Sequence, residues 1–279
     1  MSTVVARARS ITQPWGGYIR PKSFEKIILN DGMVLSEEEN IPGNIVGMAV
    51  EGLAKINIGI PVADAFRVSI QGALLAEKYG TKKAIETAFV LSQEIKELDV
   101  VSIVNACKLV RYEVWYRNPF DALMSEYIES IPNKATIRNI QILVRRCLLF
   151  FEKYGQPKCY DFSFEPVIED KASFAKMVKT RKGSYGGYTA IVSGGEGDFL
   201  TEDTLWDIKV SNYRPTSKHT LQLAMYWIMG LHSGQEKYKS IKRLGIYNPR
   251  SNIVYLLNTV SIPQEIIQII EREVICYPQ

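Results

Sequence analysis

Cysteine and histidine are scarce here: four cysteines and two histidines among 279 residues. Cys107, Cys147, Cys159 and Cys276 form no Cys-x-x-Cys pair. That argues against a thiolate zinc site, a redox motif or a disulfide frame, and leaves four small apolar side chains in a reducing compartment. No apolar run reaches the roughly 18 residues that a membrane-spanning helix needs, so no span is expected. Met1 to Arg9 lacks the apolar centre of a signal peptide, and a cytoplasmic protein is expected. A Gly-x-x-x-x-Gly-Lys phosphate loop is missing, as are internal repeats and low-complexity tracts.

What is present is an ordinary globular composition, 46% hydrophobic and 23% charged, able to bury a substantial core. The net charge of +4 is unevenly spread. From Asp31 to Ser130 acidic residues outnumber basic ones 15 to 9, whereas Lys209 to Arg250 carries 8 basic residues against Glu236 alone. The segment from Ile131 to Tyr188 is also basic, 11 to 5. Positive charge placed this way can neutralise phosphates, and a plain solvated surface explains it equally well.

Read in order, residues 44–129 have a helical pattern. Ile45, Met48, Ala49, Leu53 and Ile56 follow the 3.6-residue period. Pro61 suits the first turn of the next helix, and Thr81 and Asp99 are expected as N-caps. A long helix is expected from Thr136 to Tyr154, stopped by Gly155. After it come a strand near Tyr160–Val167, a basic connector from Lys171 to Lys182, and a strand at Tyr188–Val192 leading into the central stretch. A helix from Ser217 to Met229, strands at Leu244–Tyr247 and Ile253–Leu257, and a last helix capped at Ser261 complete the chain. The boundary between an all-helical region, 1–130, and an α+β core, 131–279, is expected there.

The chemistry concentrates in Gly194 to Ser211, which reads as a tight β-hairpin turning at Glu202-Asp203. Alternation places Trp206, Ile208 and Val210 on one face, and Asp207, Lys209 and Ser211 on the other. A turn centred there sets Asp198 opposite Asp207. Cross-strand Cβ atoms lie about 5 Å apart, where like charges destabilise a sheet. A bound cation would account for that cost.

Three motifs in order carry a resemblance. Gly195-Glu196-Gly197-Asp198 looks like a G-x-x-D strand, Asp207-Ile208-Lys209 like the D-x-K of the next strand, and Gln222-Leu223-Ala224-Met225-Tyr226 like a Q-L-x-x-Y helix. Together they resemble the PD-(D/E)xK nuclease superfamily, most closely its RecB-like and lambda-exonuclease-like branch. The resemblance covers the C-terminal half only. Gly197 stands where the superfamily name has proline, and Val210-Ser211 replaces the Thr-Gly that often follows the lysine. The cysteine cluster that holds an iron–sulfur centre in some RecB-like nucleases is absent.

The resemblance implies a mixed β-sheet flanked by helices, a restriction-endonuclease-like core. It implies a nuclease acting on DNA with Mg²⁺ or Mn²⁺. Asp198, Asp207 and the backbone carbonyl of Ile208 would hold the metal. Lys209 would orient the attacking water, and Gln222 with Tyr226, at i and i+4 on one helix face, would position the nucleic-acid backbone or a metal-bound water. Relatives often add an upstream ligand, for which Glu152, Glu165 and Glu196 are candidates; His219 lies near the same helix face. Assembly as a homo-oligomer, or with a separate helicase or recombination partner, is also implied, and no membrane partner is expected. The competing reading is a nuclease-fold protein without catalysis that binds nucleic acid or a protein partner.

Overall fold

In the computed structural model, residues 2–124, 131–167 and 185–278 are described, without the side chains of residues 121 and 124. Residue 130 at the expected boundary, the end of the helical pattern expected to 129, and the whole of the basic connector expected at 171–182 lie outside them.

The elements run β1 (Ser2–Thr3), α1 (Val4–Ser10), β2 (Glu25–Ile28), α2 (Gly43–Asn57), α3 (Val62–Ala65), α4 (Arg67–Lys78), α5 (Ala84–Gln93), α6 (Val100–Leu109), α7 (Glu113–Arg117), α8 (Pro119–Met124) and α9 (Lys134–Tyr154). They continue with β3 (Cys159–Phe162), β4 (Val192–Gly194), β5 (Gly197–Leu200), β6 (Thr204–Ile208), α10 (Ser217–His232), α11 (Glu236–Lys239), β7 (Arg243–Asn248), β8 (Ile253–Asn258) and α12 (Gln264–Ile269), which widens into a π turn at Ile270–Ile275.

Six strands form one mixed sheet in the order β2-β8-β7-β6-β5-β3. Only β6 and β7 among these neighbours run parallel. Alternation along the strands sends side chains into two separate cores. Leu205, Leu244, Ile246 and Leu257 join α1, α10 and α12 on one face. Phe199, Trp206, Tyr247, Val254 and Leu256 join α2, α6 and α9 on the other. The result is α+β with helices on both faces of the sheet. The second face is rich in rings: Phe150 on α9 stacks on Tyr247 at 4.2 Å between centroids and meets Trp206 edge-on at 4.8 Å.

The first 130 residues are not all helical. β2 pairs antiparallel with β8 as an edge strand of the main sheet, and β1 pairs parallel with β4 in a small separate sheet. That second pairing also corrects the strand expected at Tyr188–Val192, which starts at Val192 and does not enter the main sheet. Residues on both sides of position 130 share the core around Leu53, Ile103, Leu143 and Trp206, so one hydrophobic interior spans the expected boundary. The N-terminal arm is stitched to the far end of the chain: Arg7 donates from Nε to the Val274 carbonyl at 2.8 Å and from Nη2 to the Glu273 carbonyl at 2.9 Å.

Local signals explain most helix ends. The Asp99 carboxylate accepts the Ser102 N–H at 2.8 Å and caps α6 as expected. Asn133 does the same for α9 through Thr136 N–H at 2.8 Å, so that helix starts two residues earlier than the pattern predicts. Gly155, at φ 106°, ends it. Thr81 is not a cap; Lys83, in the left-handed region at φ 59°, takes the N-cap position of α5. Ser261 is not one either: it sits in a 3₁₀ turn, and Pro263 precedes α12.

Candidate active site

The hairpin of β5 and β6 has the expected register. Phe199 pairs with Trp206 and Leu200 with Leu205, which puts Asp198 across from Asp207. On the other side of β5, β3 can approach because Gly197 has no side chain: a Cβ on it would lie 2.0 Å from the ring of Phe162. Proline at this position would meet the same ring, a physical reason for glycine in this chain.

Asp198 and Asp207 are held differently. The Asp198 Oδ2 accepts the backbone N–H of Ile208 at 2.6 Å. Asp207 is almost fully buried, and its Oδ1 accepts Lys209 Nζ at 2.8 Å and Gln222 Nε2 at 3.1 Å. Its Oδ2 lies 2.7 Å from the same ammonium as an ion pair, yet has no aligned hydrogen bond. The Gln222 amide also donates to the Tyr226 hydroxyl at 3.1 Å, so residues one turn apart on α10 act as a single arm reaching the hairpin. Lys209 is fixed at its backbone, where its N–H donates to the Tyr247 carbonyl on the parallel neighbour β7 at 2.9 Å.

The electrostatics are strained. Burial, with the charges of Asp207 and Glu51 added, holds the Asp198 carboxyl well above the usual carboxylate range. Burial alone would lower the Lys209 ammonium, but Asp207, Asp198 and Glu51 outweigh it and raise its pKa. Burial, reinforced by the two aspartates, pushes the Tyr226 phenol up as well. Asp198 and Lys209 are partly open to solvent, so the centre is reachable from outside.

Glu51 is a candidate site residue that sequence reasoning missed. It lies on α2, and its charge bears on Asp198 and Lys209. Its Oε1 lies 3.0 Å from Lys55 Nζ, and that ammonium, buried at 6% exposure, donates to Asp161 Oδ1 at 2.9 Å. Burial would raise the Glu51 carboxyl, but Lys55 more than offsets it and keeps its pKa low. The available signal was a Glu–Lys pair at i, i+4 set among the buried positions Val50, Gly52, Leu53 and Ala54.

The three upstream acids considered from sequence lie elsewhere. Glu152 is exposed on α9, Glu165 bonds the Ser163 hydroxyl, and Glu196 pairs with Arg67 at 3.2 Å. His219 accepts the Thr216 N–H at 3.1 Å in a capping box at the start of α10. Its imidazole pKa is lowered by burial and then by the Lys209 charge. His232 belongs to another surface, paired with Glu271 at 2.8 Å and stacked on Tyr277.

Sheet, hairpin and helix therefore define a class of site: two facing carboxylates and an ammonium, braced by a glutamine and a tyrosine. No family model, no curated protein and no solved structure matches the chain. Among the described residues, no three His, Cys, Asp or Glu side chains lie close enough together to enclose a metal ion, and no helix is long and apolar enough to cross a membrane.

Proposed function

We propose that the chain is a metal-dependent nuclease that hydrolyses phosphodiester bonds of DNA, built on a restriction-endonuclease-like core. The observation that carries the reading is Asp207: a buried carboxylate tied to Lys209 and Gln222, facing Asp198, with one oxygen lacking a hydrogen bond. Two facing carboxylates in so enclosed a place, with a single ammonium beside them, carry more negative charge than that ammonium offsets, which favours a further cation.

The donor set fits Mg²⁺ or Mn²⁺. Mg²⁺ takes oxygen ligands and keeps several waters, so two aspartates suffice, with the Ile208 carbonyl available as a third donor. Glu51, on α2, adds its negative charge to the same centre. When bound, the ion supplies Lewis-acid polarisation of the phosphoryl oxygen and a lowered pKa for water.

The protein's own groups do the rest. Lys209 Nζ, held by both Asp207 oxygens, offers its positive charge and its remaining donor capacity where negative charge grows on the phosphoryl group. Because the Lys209 pKa is raised, its ammonium stays protonated at neutral pH and acts as a fixed charge, not a base. Gln222 holds Asp207 in one rotamer, and Tyr226 holds Gln222.

The test is cleavage of labelled linear and supercoiled DNA with and without Mg²⁺ or Mn²⁺. Metal-dependent cutting is expected, falling by about 10²–10³-fold or more in Lys209→Ala and Asp207→Ala. Cutting that persists unchanged in both variants removes these residues from the mechanism. The competing reading, a nuclease-fold protein that binds nucleic acid without cutting, draws on the absence of a three-acid cluster among the described residues. It predicts DNA affinity without metal binding, which calorimetry with Mn²⁺ distinguishes.

A further inference from the structure

We propose that Arg117, at the end of α7, is a substrate-contacting residue that grips a backbone phosphate of the nucleic-acid strand. This rests on the nuclease reading for the identity of the ligand.

The argument begins with a buried carboxylate that the site described above does not use. Glu113 is 8% exposed, at the start of α7. Its Oε1 accepts the Ser69 hydroxyl of α4 at 3.1 Å, and its Oε2 accepts Arg117 Nε at 3.1 Å and Nη2 at 2.7 Å. Burying a carboxylate is expensive unless it is paired, and this one is spent on orienting a guanidinium whose side chain is 63% exposed. The mount is rigid. Gly72 on α4 lets the Tyr112 carbonyl come where a Cβ would sit, 2.0 Å away, pressing the start of α7 onto α4.

A guanidinium has five N–H donors in a planar fork. Glu113 takes two and is the one hydrogen-bond partner of Arg117 among the described residues. Two other cations are already shared: Lys55 lies between Glu51 and Asp161, and Arg67 between Asp161 and Glu196. Arg117 thus combines a fixed stem, donors to spare and solvent access. The turn leading into α7, residues 110–112, packs against α2, the helix that carries Glu51. The charge of Arg117 also acts on Glu51 and Tyr226, and Asp198 in turn acts on it. A planar fork beside such a centre matches two non-bridging phosphate oxygens.

The experiment measures binding of a labelled oligonucleotide, single-stranded and duplex, in Ca²⁺ across a salt series, alongside cleavage in Mg²⁺ and Mn²⁺. Arg117→Ala is expected to weaken binding about tenfold and to flatten the salt slope by roughly 0.9 for duplex or 0.7 for a single strand, one phosphate contact. Arg117→Lys should keep the slope and recover part of the affinity. If the alanine variant does not fold, Arg117→Gln, which keeps much of the stem, carries the same measurement. A purely structural role would lower the melting temperature and leave the salt slope alone. Cutting by wild type with unchanged slope, affinity and KM in the variant overturns this inference only. Arg117-dependent binding by a wild type that never cuts keeps it and overturns the nuclease reading. No binding by wild type overturns both.

Discussion

Two of the clusters of buried charge among the described residues are built on opposite principles. Around Arg146 on α9, every donor is matched. Nε and one Nη2 bond pair with the two oxygens of Asp31 at 2.6 and 2.9 Å, and the remaining donors reach the carbonyls of Met33, Pro249 and Arg250 at 2.7, 2.9 and 3.0 Å. Beside it Arg250 pairs with both oxygens of Glu39 at 3.0 and 2.6 Å. Around Asp207 the books do not balance: one oxygen has no hydrogen bond, and the facing Asp198 is pushed toward its protonated form. The first cluster clasps the 31–39 segment onto the turn between β7 and β8. The second leaves charge uncompensated, which is the arrangement that the proposed metal site calls for.

The sharpest way to break this contrast is to remove the arginine. Arg146→Ala leaves Asp31 without its partner and should cost about 3–5 kcal/mol, read as a large drop in melting temperature. A near-neutral result would mean that the clasp is incidental. Next in size is Glu51→Gln, which should weaken Mn²⁺ binding about tenfold by calorimetry with little change in stability. Unchanged affinity would separate α2 from the metal centre. The smallest effect is the most diagnostic. Asp198→Asn should abolish cutting yet stabilise the metal-free protein by roughly 1 kcal/mol at neutral pH, because it removes one of two opposed charges.

The two clusters should also titrate in opposite senses. The Asp31 carboxyl is lowered, chiefly by its hydrogen bond to Arg146, so its contribution is complete above the ordinary value of 3.8 and is lost as pH falls through its folded value. The Asp198 carboxyl is raised, so the folded state binds the extra proton between 3.8 and its higher folded value. Across that window, acidification stabilises the metal-free protein through Asp198. Comparing wild type with Asp198→Asn by denaturant unfolding across mildly acidic pH isolates this term. If the two stability curves run parallel there, Asp198 is not strained.

Much of the α10 side of the site was legible from local pattern. Period-two alternation and a two-residue turn fix which side of β6 carries Asp207 and Lys209, and i, i+4 spacing on α10 aligns Gln222 with Tyr226. These relations span few residues and leave little conformational choice. Glu51 was not legible in the same way, because it reaches the hairpin through the packing of α2 on the sheet, across some 150 residues of sequence. β2 was missed as a strand because it is short and largely exposed, its pattern set by pairing with β8 and not by its own residues. The start of α5 escaped because Lys83 adopts a left-handed conformation that little in its sequence advertises.

The stitching of Arg7 to the carbonyls of Glu273 and Val274 has a consequence for how the protein is made. At roughly 5–20 residues per second of synthesis, the first helix emerges on the order of ten seconds or more before its anchor exists. The edge strand β2 likewise waits for β8. The N-terminal arm therefore leaves the ribosome before its anchor exists, and its docking must wait until residues 273 and 274 have been made.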